Sequence, residues 1–380
     1  MFENLNKFSS IKYCKKCLMP SSRPRIRFNN ADICNACIFL SKQKKINWAN
    51  REEEIKKICD KFRSSKKKYD CIVPWSGGKD SSYIAYQLKF KYDMNPLLVT
   101  FAPLFPTEVG EKNRRSFLDL GFDNYLLTSN LKASKHLSKR FFFERGNPKV
   151  HWDAGIKSLP LSVAVEKKIK LVFYAENGEW HYGGNVLHKD SDKKLYLDEI
   201  YENNIGDDPY NWIDDSVTEK EIQPFILPSQ NDLNKLDINP YYYAYFFKWD
   251  VVNNFLFLKK KFNFKTHPNG RTPGTFTNFD SLDDSIDQVY YYMQMIKFGF
   301  GRCHRDMSRQ IQFGKQKINT AKKLIKKYDQ EVPLDDINSF CKYIDISKKD
   351  FFEVVDLHRN KEIWTYGKKS GWKLKSSFHD

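Results

Sequence analysis

The sequence has no apolar run approaching 18 residues, which excludes a helical membrane span. Its opening stretch, MFENLNKFSSIKYCKK, lacks the apolar core of a secretory signal. The chain is therefore expected to be cytoplasmic, where thiols stay reduced and disulfides are disfavoured. No internal repeat is visible, so stacked-repeat architectures are not expected. No cysteine follows Met1, since residue 2 is Phe2, and none sits in a Gly-x-Cys-x-Gly elbow. Cys303 has Gly301 before it but Arg305 after it. Without an activated thiol the chain is not expected to hydrolyse glutamine.

What is present is a chain of 380 residues, 41% apolar, with a formal net charge of +17. That length allows a large core and two or three structural units. The charge is uneven. Residues 1–70 hold 18 Lys/Arg against 7 Asp/Glu, and residues 190–240 hold 4 against 13. A basic N-terminal region suits nucleic acid. A Lys-rich solvated surface explains it as well, and nucleic acid is not expected as a partner.

The hydrophobic pattern from residue 69 alternates short apolar runs with helical periodicity. Strands are expected at 70–74, 96–101, 124–128 and 171–175. Helices are expected at 81–90, with Asp80 as N-cap, and at 107–120 and 159–170. Alternating strands and helices imply an α/β fold with a parallel sheet covered on both faces. The units are expected to be a cysteine module at 11–40, a helical connector at 41–68, the α/β domain at 69–184, an acidic inserted loop region at 185–240, and a helical region at 241–380. In the last, Leu282, Ile286, Val289, Tyr290, Met293 and Ile296 fall on one helical face, and two or three more helices are expected at 317–358.

Cys14, Cys17, Cys34 and Cys37 follow C-x2-C-x16-C-x2-C, the spacing of a closed structural zinc site. An iron–sulfur cluster is the main rival, because four-cysteine sites also hold clusters. The stretch SGGKDS at residues 76–81 follows an expected strand and precedes an expected helix, the context of a phosphate-binding loop. It is not a Walker A loop, since Val73 stands where glycine is needed and Asp80 follows Lys79. It does not match G-x-G-x-x-G either.

SGGKDS at the end of a first parallel strand resembles the PP-loop of the ATP pyrophosphatase superfamily, whose fold is adenine nucleotide alpha hydrolase-like. The resemblance implies that Ser76, Gly77, Gly78, Asp80 and Ser81 cradle the pyrophosphate end of ATP, with Mg2+ as its companion. It also implies that Lys79 stabilises phosphate charge, and that adenine lies near Thr100 and Phe101. Two chemistries follow in such proteins, amidation and thiolation. A tRNA thiolase is the alternative, because some also carry a cysteine module before this loop. It needs catalytic cysteines, and none occurs between Cys71 and Cys303. A non-catalytic RNA binder, using aromatic runs such as YYYAYFFKW to stack bases, leaves SGGKDS unexplained.

Five segments together resemble the N-acetyl sugar amidotransferase family (WbpG/PseA-type). They are CKKCLMPSSRPRIRFNNADICNAC, SGGKDS, VTFAPLFPTEVGEKN, FYAENGEWHYGG and SLDDSIDQVYYYMQMIKFGFGRCHRDMSRQI. The resemblance implies an enzyme that adenylates the acetamido oxygen of an N-acetylated sugar or nucleotide sugar and replaces it with nitrogen. It implies a role in bacterial surface polysaccharide or flagellin glycan synthesis, and a separate glutaminase that supplies ammonia. With Lys79 and Asp80, Glu176 is the expected catalytic group. Asn177, Glu179, Tyr182, Gly183, Gly184, Arg302 and Asp306 are the expected substrate contacts.

Overall fold

The computed structural model of the chain describes residues 11–375. Five strands, β1 (Cys71–Pro74), β2 (Pro96–Phe101), β3 (Asp123–Leu127), β4 (Leu171–Tyr174) and β5 (Asn239–Tyr242), form one sheet in the order β3-β2-β1-β4-β5. Every pairing is parallel. The expected parallel α/β sheet is therefore present.

Side chains alternate across it, as the two-residue period of a strand requires. Ile72, Leu97, Val99, Phe101, Val172 and Tyr174 share one core with the helix Val150–Lys167. Cys71, Val73, Leu98, Leu171 and Phe173 share another with the helices Trp48–Phe62 and Lys79–Phe90. Burial on both faces explains why these strands read as continuous apolar runs. The strand order reverses between β1 and β4, so their carboxyl ends open the crevice where ligands gather in such sheets.

The chain departs from its sequence pattern in several places. The helix expected at 159–170 starts nine residues earlier, because Val150, Trp152 and Ala154 are buried and hold the first turns in place ahead of Pro160. The helix Leu131–Arg145 was not anticipated. The acidic stretch 185–240 is not an inserted loop. It winds through short helices, among them Leu197–Ile200, Glu219–Ile222 and Gln230–Lys235. Ile200, Trp212, Val217, Ile222, Phe225 and Leu233 enter the same core as β2 and β4. It then delivers β5, whose sequence NPYY opens on Asn-Pro, a pair that reads as a turn. Most of its acidic residues lie outside, while Glu199 is buried and accepts the Leu187 and His188 N–H groups, and the apolar residues complete the domain.

Beyond the sheet the chain is helical: Val251–Phe262, Ile286–Phe298, Arg302–Gln312, Ile318–Tyr328, Leu334–Ile344 and Lys348–Leu357. A hairpin of β6 (Trp364–Gly367) and β7 (Gly371–Leu374) follows. Ile286, Val289, Met293 and Ile296 pack against Ile337, Phe340 and Ile344 as the helical period requires. Leu282 lies ahead of that helix and packs with Phe255 and Leu258, while Tyr290 turns toward Lys149. Among the described residues no helix is long and apolar enough to cross a membrane.

Trp212 is fully buried and Ile213 is exposed. In urea unfolding, Trp212→Ala should lose about 3–5 kcal/mol, and Ile213→Ala should stay within about 0.5 kcal/mol of the wild type. Equal, small losses would mean that the acidic stretch is not part of the core.

Candidate active site and cysteine metal centre

The glycine-rich loop starts from a fixed point. The Trp75 N–H donates to the Val99 carbonyl at 2.8 Å, and its indole Nε1–H donates to Ser82 Oγ at 2.8 Å. The Thr100 hydroxyl donates to the Trp75 carbonyl at 2.6 Å. Gly77 then turns the chain with φ of +92°, and a Cβ there would lie 2.4 Å from Arg114 Cγ, so only glycine fits. Gly78 caps the helix Lys79–Phe90 and offers no capping side chain. Asp80 is therefore not the N-cap expected from sequence; it lies in the first turn. The helix N-terminus keeps backbone N–H groups for an anion.

Lys79 is buried. Its Nζ donates to Asp80 Oδ2 at 2.8 Å and to the Asp280 carboxylate. Burial opposes the ammonium charge, but Asp280 and Asp80 outweigh it and hold the Lys79 pKa above its ordinary value. Burial also raises the Asp80 pKa, with Lys79 opposing and the nearby Glu176 reinforcing. Asn254 Nδ2 donates to the other Asp80 oxygen at 3.0 Å.

Across the switch point, Glu176 follows β4 and accepts the Tyr182 hydroxyl at 2.6 Å. The Arg309 guanidinium lies 3.6 Å from the centre of the Tyr182 ring. Lys157 faces the same carboxylate from the helix Val150–Lys167; burial lowers its pKa, with Glu176, Asp153 and Glu179 opposing. Asp80, Lys157, Glu176, Asp280 and Arg305 are half-buried, and they form a chain of electrostatic neighbours at the strand-order reversal between β1 and β4.

Two segments far apart in sequence form one wall. The Asp284 carboxylate accepts the N–H groups of Leu104 and Phe105 at 2.7 and 3.0 Å, and the Thr107 hydroxyl donates to the Leu282 carbonyl. This brings Asp280 to Lys79. Asp280 was not anticipated, because it lies in an acid-rich run with no diagnostic spacing. Arg305, Asn254, Lys157 and Arg309 were also missed, because none of them belongs to a motif of diagnostic spacing.

Several expected ligand contacts serve the frame instead. The Thr100 hydroxyl is buried and committed to Trp75 and Asn124. Phe101 is a core residue packed on Phe225 and against Gly155. Asn177 caps the helix Gly178–Tyr182 and donates to the Ser191 carbonyl at 2.7 Å. Glu179 holds Arg25 through both oxygens, at 2.7 and 3.1 Å. Gly183 and Gly184 turn against the cysteine module rather than toward the cleft: a Cβ on Gly183 would meet Asn35 Oδ1 at 2.5 Å. Arg302 and Asp306 are buried behind the cleft. Arg302 Nη2 donates to the Asp280 carbonyl at 2.7 Å, and Asp306 accepts the Thr275 hydroxyl at 2.8 Å. Ser76 Oγ accepts the Gly78 N–H at 3.2 Å, and the Ser81 hydroxyl faces the Gly78 carbonyl at 3.4 Å.

The sulfurs of Cys14, Cys17, Cys34 and Cys37 are buried and lie within 4.8 Å of one another. Cys14 Sγ is 3.9 Å from Cys37 Sγ, and Cys17 Sγ is 3.6 Å from Cys34 Sγ. Sulfurs placed tetrahedrally about 2.3 Å from one ion sit roughly 3.8 Å apart, so the four residues fit a single metal ion. Gln312 Nε2 donates toward Cys17 Sγ and Cys37 Sγ at 3.5 and 3.7 Å, the outer support expected around a charged sulfur site.

Residues 273–378 match the family model described as LPS biosynthesis protein WbpG-like, C-terminal domain. That region holds Asp280, Arg302, Arg305 and Arg309, so the wall of the cleft opposite the glycine-rich loop is similar to a lipopolysaccharide biosynthesis protein. The chain is also 32% identical over 87 residues to Uncharacterized protein MJ1599 of Methanocaldococcus jannaschii, covering 23% of this chain and 31% of that protein. The chain thus spans about a third of the length of that relative.

Metal analysis of the purified chain should find one ion per molecule. Cys34→Ser should lose it and lower the thermal midpoint by several degrees, while Cys341→Ser, a buried cysteine far from the cluster, should keep it. Retention of metal by Cys34→Ser would remove the cluster as a metal site.

Proposed function

We propose that the chain is an ATP-dependent amidotransferase of the PP-loop type that converts the acetamido group of an N-acetylated sugar to an acetamidino group, for bacterial surface polysaccharide or flagellin glycan. The observation that carries this reading is Lys79, held in charged form at a helix N-terminus after a glycine-rich loop, with its partner Asp80 close to Glu176 across the strand-order reversal. The similarity of residues 273–378 to an LPS biosynthesis protein supports the sugar side.

An acetamido carbonyl is a weak electrophile with a poor leaving group. Its oxygen attacks the α-phosphorus of ATP, the bond to the β-phosphate oxygen breaks, and pyrophosphate leaves. Ammonia then attacks the imidate carbon, and AMP leaves with the original oxygen. Lys79 and the backbone N–H groups after Gly78 lie where charge builds on the phosphates. Mg2+ would neutralise the polyphosphate, and Asp80 and Asp280, the two carboxylates that pair with Lys79, would be the residues to hold it. Glu176, kept in place by the Tyr182 hydroxyl, is positioned to take a proton from the attacking ammonia. The ammonia comes from a separate glutaminase, and the four-cysteine site holds zinc as a structural ion.

Purified protein with α-labelled ATP, Mg2+, ammonium chloride and a panel of N-acetylated sugars and nucleotide sugars should release AMP only when sugar and ammonia are both present. The product sugar should carry NH in place of oxygen. Lys79→Met should lower AMP release by at least about 100-fold, and Tyr182→Phe by less. AMP released only with tRNA and a sulfide source would assign thiolation instead, and ADP as product would end the PP-loop reading.

A further inference from the structure

The region similar to the WbpG-like domain brings a second cation to the glycine-rich loop. Its segment 280–284 packs tightly on the sheet domain. The Asp280 carboxylate pairs with Lys79, and the Asp284 carboxylate accepts the Leu104 and Phe105 N–H groups. Gly110 passes so close that a Cβ on it would lie 2.7 Å from Asp283 Cα. Next to Asp280, Ser281 Oγ lies 3.2 Å from the Tyr291 hydroxyl oxygen. Arg305 Nη1 donates to that same oxygen at 2.7 Å, and its guanidinium carbon lies 4.2 Å from the centre of the Tyr291 ring. Tyr291 thus holds Arg305 against the residue that follows Asp280.

Two arginines flank Tyr291, and they differ in what they have left to offer. Arg302, 5.0 Å from the ring centre, keeps 1% of its side-chain surface and donates to the Asp280 carbonyl and to Gln288. Arg305 keeps 18%, slightly more than the 15% of Asp280. Its Nη2 and Nε reach one Asp306 oxygen at 3.3 and 3.4 Å, longer than well-formed charge-assisted hydrogen bonds. The other Asp306 oxygen is taken by the Thr275 and Thr277 hydroxyls.

The charge balance at the loop calls for such a group. Lys79 supplies one positive charge, and Asp80 and Asp280 one negative charge each. A polyphosphate adds only negative charge, and like charges gathered out of water cost free energy unless a cation joins them. Burial raises the Asp280 pKa, but Lys79, Arg302 and Arg305 outweigh it and hold that carboxyl below its ordinary value. A guanidinium matches phosphate oxygens through its fork of N–H groups.

We propose that Arg305 is a catalytic residue that contacts the β- and γ-phosphates of ATP across Asp280 from Lys79, so that both halves of the chain build the pyrophosphate site. This rests on reading the glycine-rich loop as a PP-loop. It gives the region similar to a lipopolysaccharide biosynthesis protein a part in the nucleotide chemistry.

Calorimetric titration of the metal-loaded full chain tests this without turnover. The probes are α,β-methylene-ATP, pyrophosphate, AMP and UDP-N-acetylglucosamine, each with Mg2+. Arg305→Gln should weaken α,β-methylene-ATP and pyrophosphate roughly ten- to hundredfold, and AMP, which lacks both outer phosphates, less than about threefold. Arg305→Lys keeps the charge but loses the fork, and should lose at least about threefold for the same two probes. Tyr291→Phe removes the anchoring hydroxyl, keeps the ring, and should weaken them severalfold. Unchanged affinity of Arg305→Gln for the ATP analogue and pyrophosphate overturns the proposal. So does an equal loss for AMP, which marks a distorted fold, and so does a loss confined to UDP-N-acetylglucosamine, which assigns Arg305 to the sugar. Should Arg305→Gln lack native circular dichroism, Arg305→Lys carries the test, and wild-type affinity of that variant for both probes overturns the proposal. A wild type that binds neither α,β-methylene-ATP nor pyrophosphate removes the PP-loop reading and the proposal with it, whereas binding of both with no dependence on Arg305 removes the proposal alone.

Discussion

The Lys79 ammonium, held between Asp80 and Asp280, ties the two halves of the chain together. Asp80 comes from the helix after β1, and Asp280 from the region beyond the sheet. Behind Asp280 the polar chain continues through Arg302, which donates to the Asp280 carbonyl, to Gln288, and from Arg305 and two threonines to Asp306. Most of these groups are buried. Each charge is tolerated because its neighbour is in place. Removing one leaves the others unpaired, a change that costs several kcal/mol in proteins. The candidate site is therefore a largely buried ionic network, partly open to solvent at Asp80, Lys157, Glu176, Asp280 and Arg305.

Much of the frame is legible in the sequence, because burial on both faces leaves continuous apolar strands and a glycine loop between strand and helix. The four cysteines announce their cluster through spacing alone. The misses have physical reasons. β5 opens on Asn-Pro, so its strand character comes from pairing with β4 and not from its own residues. The acidic stretch hides Trp212 and Phe225 among surface carboxylates, and net charge says nothing about where the apolar minority goes.

Within the site, chemistry-bearing residues were easier to name than to place. Glu176 and Tyr182 meet in the cleft as a hydrogen-bonded pair. Glu179, three residues along, faces the other way and binds Arg25. Sequence separation cannot tell these apart: Glu176 precedes the helix Gly178–Tyr182 and meets Tyr182 at its end, while Glu179 in its first turn binds Arg25 of the metal module. Arg302 and Asp306, expected from sequence as substrate contacts, occupy the inner face of the helix Arg302–Gln312. Arg305 and Arg309 are partly open on that helix, as are Ile311 and Gln312 at its end.

The packing of the cysteine module also has a temporal side. Its sulfurs share a core with Phe300, Gln312 reaches two of them, and the Leu18 carbonyl meets the His304 ring at 2.7 Å. Those partners stand nearly three hundred residues later in the chain. A ribosome makes residues 14–37 well before residues 300–312, and segments made early usually fold early. Here the cysteine module cannot be fully covered until those later residues have been made. Its thiols spend that interval open to metal and to oxidant alike, and the completed helix Arg302–Gln312 is what closes them off.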